Sequence, residues 1–195
     1  VKLASYQLPE WVENLNLEGS IKQSGYGNDL NNTIRNPWGS AEMWGLGGDD
    51  ELYGGHYDDI LSGGLGSDHL EGGRGNDVII YEGHGNDIVL AGEGIDKLQI
   101  SNIIGRSEYR DGNDLVAVSV NGTDVVRVVD AFTTEQRLEK IEYIFSNGSA
   151  IWDVTPSDVA PIGGDHFFAG TDNSDVIDGS MASAVAATGY HGNDE

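Results

Sequence analysis

The sequence predicts an all-β protein in which short strands stack on one another as a solenoid, and three observations lead to this fold class. Glycine occupies 29 of the 195 positions, roughly twice its ordinary share of ~7%. A nine-residue unit recurs between residues 45 and 99. An aliphatic residue returns at one fixed position of this unit, a regularity that an acidic, disordered linker has no need to keep.

Six copies of the unit follow one another, interrupted only by Tyr81. The copies are GLGGDDELY (45–53), GGHYDDILS (54–62), GGLGSDHLE (63–71), GGRGNDVII (72–80), EGHGNDIVL (82–90) and AGEGIDKLQ (91–99). Their eighth position is always aliphatic: Leu52, Leu61, Leu70, Ile79, Val89 and Leu98. We expect these side chains to point inward, because stacked units bury a continuous apolar column that a single unit cannot bury alone.

Each unit divides into a turn and a strand. Glycines at positions one, two and four permit positive φ and a close approach of neighbouring backbones. The sixth position is always aspartate: Asp50, Asp59, Asp68, Asp77, Asp87 and Asp96. Turns on one edge come from alternate units, so each aspartate is expected to face a partner about two units away. The pairs are Asp50 with Asp68, Asp59 with Asp77, Asp68 with Asp87, and Asp77 with Asp96.

Paired carboxylates of this kind repel one another unless a cation lies between them. The surrounding turn carbonyls add further oxygen atoms, and Ca²⁺ is the hard cation that accepts six to eight oxygen ligands in a flexible geometry. Mg²⁺ requires a tighter octahedron, and a softer metal favours His or Cys. The sequence therefore predicts several bound Ca²⁺ ions. The predicted metal ligands are the six aspartates together with Gly45, Gly47, Gly54, His56, Gly63, Gly64, Leu65, Gly66, Gly72, Gly73, Arg74, Gly75, Gly83 and Gly85.

The repeated unit resembles the RTX nonapeptide, G-G-x-G-x-D-x-U-x, of haemolysin-type calcium-binding proteins. This resemblance implies a right-handed parallel β-roll loaded with Ca²⁺. Among the positions that depart from the pattern, Tyr57 replaces the fourth glycine of its unit, and Glu82 and Ala91 replace first glycines. We expect the turns at these positions to bind more weakly or to lack an ion.

Five segments are predicted along the chain. Ile34 and Met43 continue the aliphatic phase backwards, while Asn32 and Ala41 stand where the aspartates would be. Residues 1–44 are therefore interpreted as an N-terminal extension or cap of the solenoid, and Asp29, which is out of phase, as a surface turn residue. The remaining segments are the calcium-binding β-roll at 45–99, a β-rich capping domain at 100–154, a linker at 155–169 and the start of a second, truncated RTX block at 170–195.

The predicted capping domain contains alternating and valine-rich stretches at 115–120 and 124–132, and the Asn121–Gly122 pair between them indicates a hairpin. Asn147–Gly148 indicates another turn before a last strand at 150–154. Residues 133–144 allow either a short helix with an apolar side or an extended segment. The stretch resembles the domain that often follows RTX blocks. The tryptophans, among them Trp11 and Trp38, are interpreted as packing at the ends of the stack, with a sugar-stacking surface as the alternative.

Composition excludes several functions. Asp and Glu outnumber Lys and Arg by 33 to 10, giving a net charge of −23, and such a polyanion repels nucleic acids and anionic membranes. No apolar run approaches the ~20 residues of a transmembrane helix. The segment from Val1 lacks a signal-peptide pattern, and the interrupted repeat at the other end favours a fragment of a longer protein. Neither H-E-x-x-H nor G-x-S-x-G occurs, so no enzyme activity is predicted.

The resemblance implies a calcium-binding module that folds outside the cell and belongs to a secreted or surface-bound bacterial toxin or adhesin exported by type I secretion. A cell-surface or glycan target would then be bound through other parts of that protein. Two alternatives stay open. The chain is either the non-catalytic C-terminal module of a secreted protease, lipase or polysaccharide-modifying enzyme, or a carbohydrate-binding or adhesive module.

Overall fold

The fold is taken from a computed structural model, which describes residues 4–19, 21–101, 107–119, 122–133, 138–145 and 148–153. Strands account for the regular structure of these residues, which confirms the all-β class. In chain order they are β1 (Ala4–Gln7), β2 (Asn14–Asn16), β3 (Gln23–Tyr26), β4 (Thr33–Arg35), β5 (Ala41–Gly47), β6 (Glu51–Gly55), β7 (Ile60–Leu65), β8 (His69–Arg74), β9 (Val78–Tyr81), β10 (Asn86–Glu93), β11 (Asp96–Ile100), β12 (Ser107–Asp111), β13 (Asp114–Val118), β14 (Val125–Val128), β15 (Leu138–Phe145) and β16 (Gly148–Asp153).

Within the described ranges the strands form two eight-stranded sheets, and the chain alternates between them up to β11. The first sheet has the order β1-β3-β5-β7-β9-β11-β15-β16, and the second has the order β12-β13-β14-β10-β8-β6-β4-β2. Every pairing from β1 to β11 is parallel. This topology is the parallel β-solenoid expected from the repeats.

A column of aliphatic side chains fills the space between the sheets. In the second sheet Ile34, Leu52, Leu70, Val89 and Val128 are successive register partners, and all five are fully buried. The first sheet supplies a matching row: Met43, Leu61, Ile79, Leu98 and Ile141. Burying one such side chain contributes about 1.5–3 kcal/mol, so the column is the main source of cohesion along the stack.

The strands that follow the repeats continue both sheets. β14 pairs in parallel with β10, and β15 pairs in parallel with β11. β13 and β16 then fold back in antiparallel pairing, and β12 adds to β13. These strands cover backbone edges that the last repeats would otherwise leave open to aggregation. The predicted segment boundaries stay a prediction, and the linker at 155–169 and the second block at 170–195 lie outside the described residues.

The extended reading of residues 138–144 is confirmed and the helical alternative is wrong, because Leu138–Phe145 is a strand. Residues 134–137 lie outside the described ranges. The hairpin predicted at Asn121–Gly122 is confirmed by the antiparallel pairing of β13 with β14, in which Gly122 has φ of +72°. The strands on either side of the second predicted turn, β15 and β16, are antiparallel, and Asn147 lies outside the described residues.

The packing interpretation is wrong for two of the tryptophans. Trp11 is 81% exposed and Trp38 is 63% exposed, because both lie in connections outside the sheets, where the apolar column does not reach. Asp29 is exposed, as expected of a surface turn. In the part of the chain that the structure describes, no helix is able to span a membrane.

Candidate calcium sites

The six aspartates of the repeats lie at the two edges where the chain passes from one sheet to the other. We call the turns that carry Asp50, Asp68 and Asp87 the Asp50 edge, and those that carry Asp59, Asp77 and Asp96 the Asp59 edge. All six residues are between 0 and 4% exposed. Burial of so many acidic side chains is unusual, because an ionised carboxylate is costly to remove from water unless it is paired.

One oxygen of each carboxylate is used within the stack. Oδ1 accepts a hydrogen bond from the backbone N–H of the residue 18 or 19 positions earlier, over 2.5 to 3.0 Å. Asp50 N–H thus donates to Asp68 Oδ1, and Asp68 N–H donates to Asp87 Oδ1. The aspartates on each edge therefore form a ladder in which each carboxylate anchors the preceding turn.

The second oxygen is left without a donor. In five of the six aspartates, Oδ2 is buried and has no hydrogen-bond partner among the described residues; these are Asp50, Asp59, Asp68, Asp77 and Asp96. Buried polar atoms in folded proteins are nearly always satisfied, so a row of unsatisfied anionic oxygens requires an explanation. A cation bound to these oxygens provides one.

The first glycine of each of the first four repeats lies next to these oxygens. A Cβ on Gly54 would lie 2.6 Å from Asp59 Oδ2, and one on Gly72 would lie 2.5 Å from Asp77 Oδ2; both would also clash with a backbone carbonyl oxygen of the next turn on that edge. Gly45 has the same surroundings, formed by Asp50 Oδ2 and the Gly63 carbonyl. The missing side chain thus keeps open a small space lined by carboxylate and carbonyl oxygen.

Positive φ occurs at the second and fourth positions of the turn. Every glycine at these positions has it, for example Gly64 at +105° and Gly66 at +128°, whereas the first-position glycines Gly45, Gly54, Gly63 and Gly72 do not. The expectation that all three glycines adopt positive φ is therefore wrong for position one, where close approach alone requires glycine. Gly73, Gly75, Gly83 and Gly85 follow the positive-φ pattern, and Gly47 does not.

Burial changes the acidity of the ladder. Removal from water raises the pKa of Asp50 and Asp77 to about 7, of Asp59 and Asp87 to about 8, and of Asp68 and Asp96 to about 6. The backbone hydrogen bond to Oδ1 opposes this shift, and the neighbouring carboxylates on the edge mostly reinforce it. Without a cation, burial in the fold therefore makes these carboxyl groups easier to protonate than they are in water.

The donor set fits Ca²⁺. No group of three or more His, Cys, Asp or Glu side chains converges in the described residues, so any ion at these turns takes most of its ligands from backbone carbonyls. Carboxylate and carbonyl oxygens suit Ca²⁺, which tolerates irregular coordination. The side chains of His56, Leu65 and Arg74 are exposed, which leaves the backbone carbonyls of these predicted ligands as the candidates.

A second polar ladder, at the fifth position of the repeat, was missed from the sequence. Asp49 N–H donates to Asn31 Oδ1, Ser67 N–H to Asp49 Oδ1, and Asn86 N–H to Ser67 Oγ. On the other edge, Asn76 N–H donates to Asp58 Oδ1 and Ile95 N–H to Asn76 Oδ1. These side chains are exposed. The signal was present, because five of the six repeats carry Asp, Asn or Ser at this position.

This geometry defines a calcium-binding β-roll: parallel strands, glycine turns and buried aspartate ladders on both edges. Comparison with family models gives the same class. A model described as the RTX calcium-binding nonapeptide repeat, in four copies, matches residues 44–79 and 83–98. That part of the chain is an RTX β-roll, and RTX nonapeptide repeats bind Ca²⁺. No curated protein gives a significant match to the sequence.

Proposed function

We propose that Ca²⁺ binding drives the folding of this β-roll outside the cell, and that the module belongs to a larger bacterial toxin or adhesin exported by type I secretion. The single observation that carries the folding mechanism is the set of buried Oδ2 atoms without a hydrogen-bond partner. The export route and the parent protein are supported by the RTX repeats, which are typical of secreted proteins.

The energetic argument follows from where the ligands come together. In the unfolded chain the aspartates of one ladder are 18 or 19 residues apart and fully hydrated, so they form no site. In the folded stack they are buried, and a cation offsets both their dehydration and their mutual repulsion. Because Ca²⁺ binds only the folded state, its binding free energy adds directly to the free energy of unfolding.

The calcium concentration then controls the state of the chain. A net charge of −23 opposes compaction at low calcium, and the backbone entropy of the glycine turns opposes it further. Extracellular calcium sites typically work at ~10⁻⁴–10⁻³ M. The module is therefore unfolded during export from a low-calcium cytosol and folded after it. In this proposal the chain has a structural role and no catalytic one.

Circular dichroism during a calcium titration tests the mechanism, with Mg²⁺ as the control ion. We expect a β-sheet signal to appear with Ca²⁺ at millimolar concentrations or below and not with Mg²⁺. An equal signal in Mg²⁺ or in EDTA at neutral pH would contradict calcium-coupled folding.

Two neighbouring aspartates provide matched variants. Asp59 is buried with an unsatisfied Oδ2, whereas Asp58 is exposed and accepts a hydrogen bond from Asn76 N–H at 2.8 Å. Asp59→Asn should weaken calcium binding and reduce the calcium-dependent gain in stability. Asp58→Asn removes the same charge and keeps its acceptor oxygen, so its calcium titration should stay close to that of the wild type.

The exposed aromatic side chains favour an adhesive role as the second candidate. Trp11, Trp38 and Tyr57 are 81%, 63% and 50% exposed, and flat aromatic rings of this kind stack on sugars or pack against partner proteins. Calcium-dependent retention on a glycan array, lost in Trp38→Ala with unchanged folding, would support this role.

A further inference from the structure

The aspartate ladder of the Asp59 edge extends past the last repeat. Asp96 N–H donates to Oε2 of Glu139 over 2.7 Å. This length falls within the range of the bonds that join the aspartates to one another, such as the 2.9 Å from Asp77 N–H to Asp96 Oδ1. Glu139 therefore takes the place in the ladder that the aspartate of a further repeat would take.

A β-bulge gives Glu139 this position. β11 and β15 are paired so that Asp96 is opposite Leu138 and Lys97 is opposite Lys140. Glu139 is thus an extra residue between two register pairs, and Leu138 and Ile141 on either side of the bulge both remain fully buried. A bulge redirects a side chain without losing the alternation of the strand around it. Here it brings a carboxylate from outside the repeats to the last turn of the roll.

Asp96 has a buried side-chain oxygen that a cation would satisfy. Its side chain is fully buried, and its Oδ2 has no hydrogen-bond partner among the described residues. Burial raises the pKa of Asp96 to about 6, and the charge of Glu139 adds to this effect. Glu139 is therefore bonded to Asp96 in the way that each ladder aspartate is bonded to the preceding one, and Asp96 keeps one unsatisfied buried oxygen beside it.

The opposite edge ends differently. There the register partner of Asp87 in β14 is Val126, whose side chain carries no oxygen, and the half-buried Asp124 accepts the N–H of Gly85 at 3.4 Å. On the Asp59 edge the bond from outside the repeats instead joins the ladder aspartate itself, from Asp96 N–H to Glu139.

We propose that Asp96 and Glu139 form a further Ca²⁺ site, shared between the last repeat and β15. The proposal rests on the function proposed above and concerns a site that the nonapeptide pattern does not contain. A cation there neutralises both carboxylates and holds β15, and with it the antiparallel strand β16, against the end of the roll. Calcium then controls the docking of the terminal strands as well as the folding of the repeats.

Glu139→Gln tests this site, with Glu142→Gln as its matched control. Glu142 lies on the same strand and pairs with Lys97 at 2.6 Å, so its replacement removes the same charge and a real ion pair. The ions bound per chain are counted by equilibrium dialysis with radioactive calcium. Amide hydrogen exchange of β15 and β16 is followed with and without calcium. Glu139→Gln should bind one ion fewer and lose calcium-dependent protection of β15 and β16, while the repeats keep theirs.

Glu142→Gln should bind as many ions as the wild type. If Glu139→Gln also binds the wild-type number and keeps the protection of β15, the site is refuted. A failure of the wild type to fold with calcium would refute the function proposed above instead. Should Glu139→Gln not fold, Glu139→Asp decides: its shorter carboxylate should keep the ion count and lower the affinity of one site, and wild-type affinity at every site would refute the proposal.

Discussion

At the scale of the residue, each ladder aspartate has two separate roles for its two oxygens. Oδ1 anchors the preceding turn, and Oδ2 remains for a cation. Asn32, at the N-terminal end of the Asp50 edge, shows the neutral alternative. Its Oδ1 accepts the N–H of Asn28 at 2.7 Å, and its amide donates to Asn28 Oδ1 at 3.1 Å. The Asn32 amide therefore has hydrogen-bond partners within its own turn, and the ladder ends there at a neutral side chain that does not need a cation.

Leu46 is the position where a single substitution should stabilise the fold. It stands at the second position of its repeat with φ of +82°, where the later repeats have glycine at +84° to +112°. A non-glycine residue in this region costs about 1–2 kcal/mol, and Leu46 is 43% exposed, so the loss of its partial burial offsets part of the gain.

We therefore expect Leu46→Gly to raise the free energy of unfolding of the calcium-loaded protein by up to about 1 kcal/mol, since the flexibility of glycine offsets part of the gain. Urea unfolding in saturating calcium measures this change. Leu65→Gly is the control, because Leu65 is 57% exposed and does not have positive φ. It should be neutral or destabilising, and equal stabilisation of both variants would argue against relief of strain at Leu46.

At the scale of the turn, the first glycine of the first four repeats matters for the space that it leaves. A methyl group on Gly72 would lie 2.5 Å from Asp77 Oδ2 and would meet the Ala91 carbonyl. A methyl group on Gly47 would have Asp29 Oδ1 as its nearest neighbour, at 3.5 Å. Both glycines have ordinary φ, so the two positions differ in space alone.

Gly72→Ala should accordingly weaken calcium-dependent folding, with a loss of about 1–3 kcal/mol in the free energy of unfolding, as is typical of overpacking. Gly47→Ala should change it by less than about 0.5 kcal/mol. Calcium titrations of both variants by circular dichroism provide the measurement. If Gly72→Ala folded at the wild-type calcium concentration, the space between Gly72 and Asp77 Oδ2 would have no role in calcium binding.

The sequence predicted those elements whose signal is periodic. The aliphatic column and the aspartate ladders recur every nine residues, so Leu52, Leu70 and their equivalents could be placed before the fold was known. The pairing of β14 with β10 and of β15 with β11 could not be predicted, because these contacts join segments about 40 residues apart that share no repeat. The bulge at Glu139 could not be predicted either, since it depends on the register of two strands that are distant in sequence.

At the scale of the whole molecule, part of the negative charge of the chain is buried. The six ladder aspartates are buried in a protein that has 33 acidic residues and a net charge of −23. Protons and Ca²⁺ therefore compete for the same carboxylates. This competition determines how the stability of the roll depends on pH, and in which direction.

The sign follows from the raised pKa values, which are about 6 to 8 in the calcium-free fold against 3.8 ordinarily. A carboxyl whose pKa is higher in the folded state stabilises the fold when it is protonated. This contribution is fully present below the ordinary pKa and is lost as the pH rises through the folded values. Without calcium, the fold should therefore be least stable near pH 8 and should gain stability as the pH falls towards 5.

Calcium removes this dependence, because it binds the ionised carboxylates, and the aspartates of the unfolded chain are also ionised above about pH 5. We expect the stability in saturating calcium to change little between pH 5 and 8, while the calcium-free fold gains stability as the pH falls. Folding should therefore need less calcium at pH 5 than at pH 8. Circular dichroism titrations with calcium at pH 5, 6, 7 and 8 measure this midpoint, which should depend on pH less strongly in Asp59→Asn than in Asp58→Asn. A midpoint that falls as the pH rises would contradict raised pKa values of the ladder aspartates in the fold.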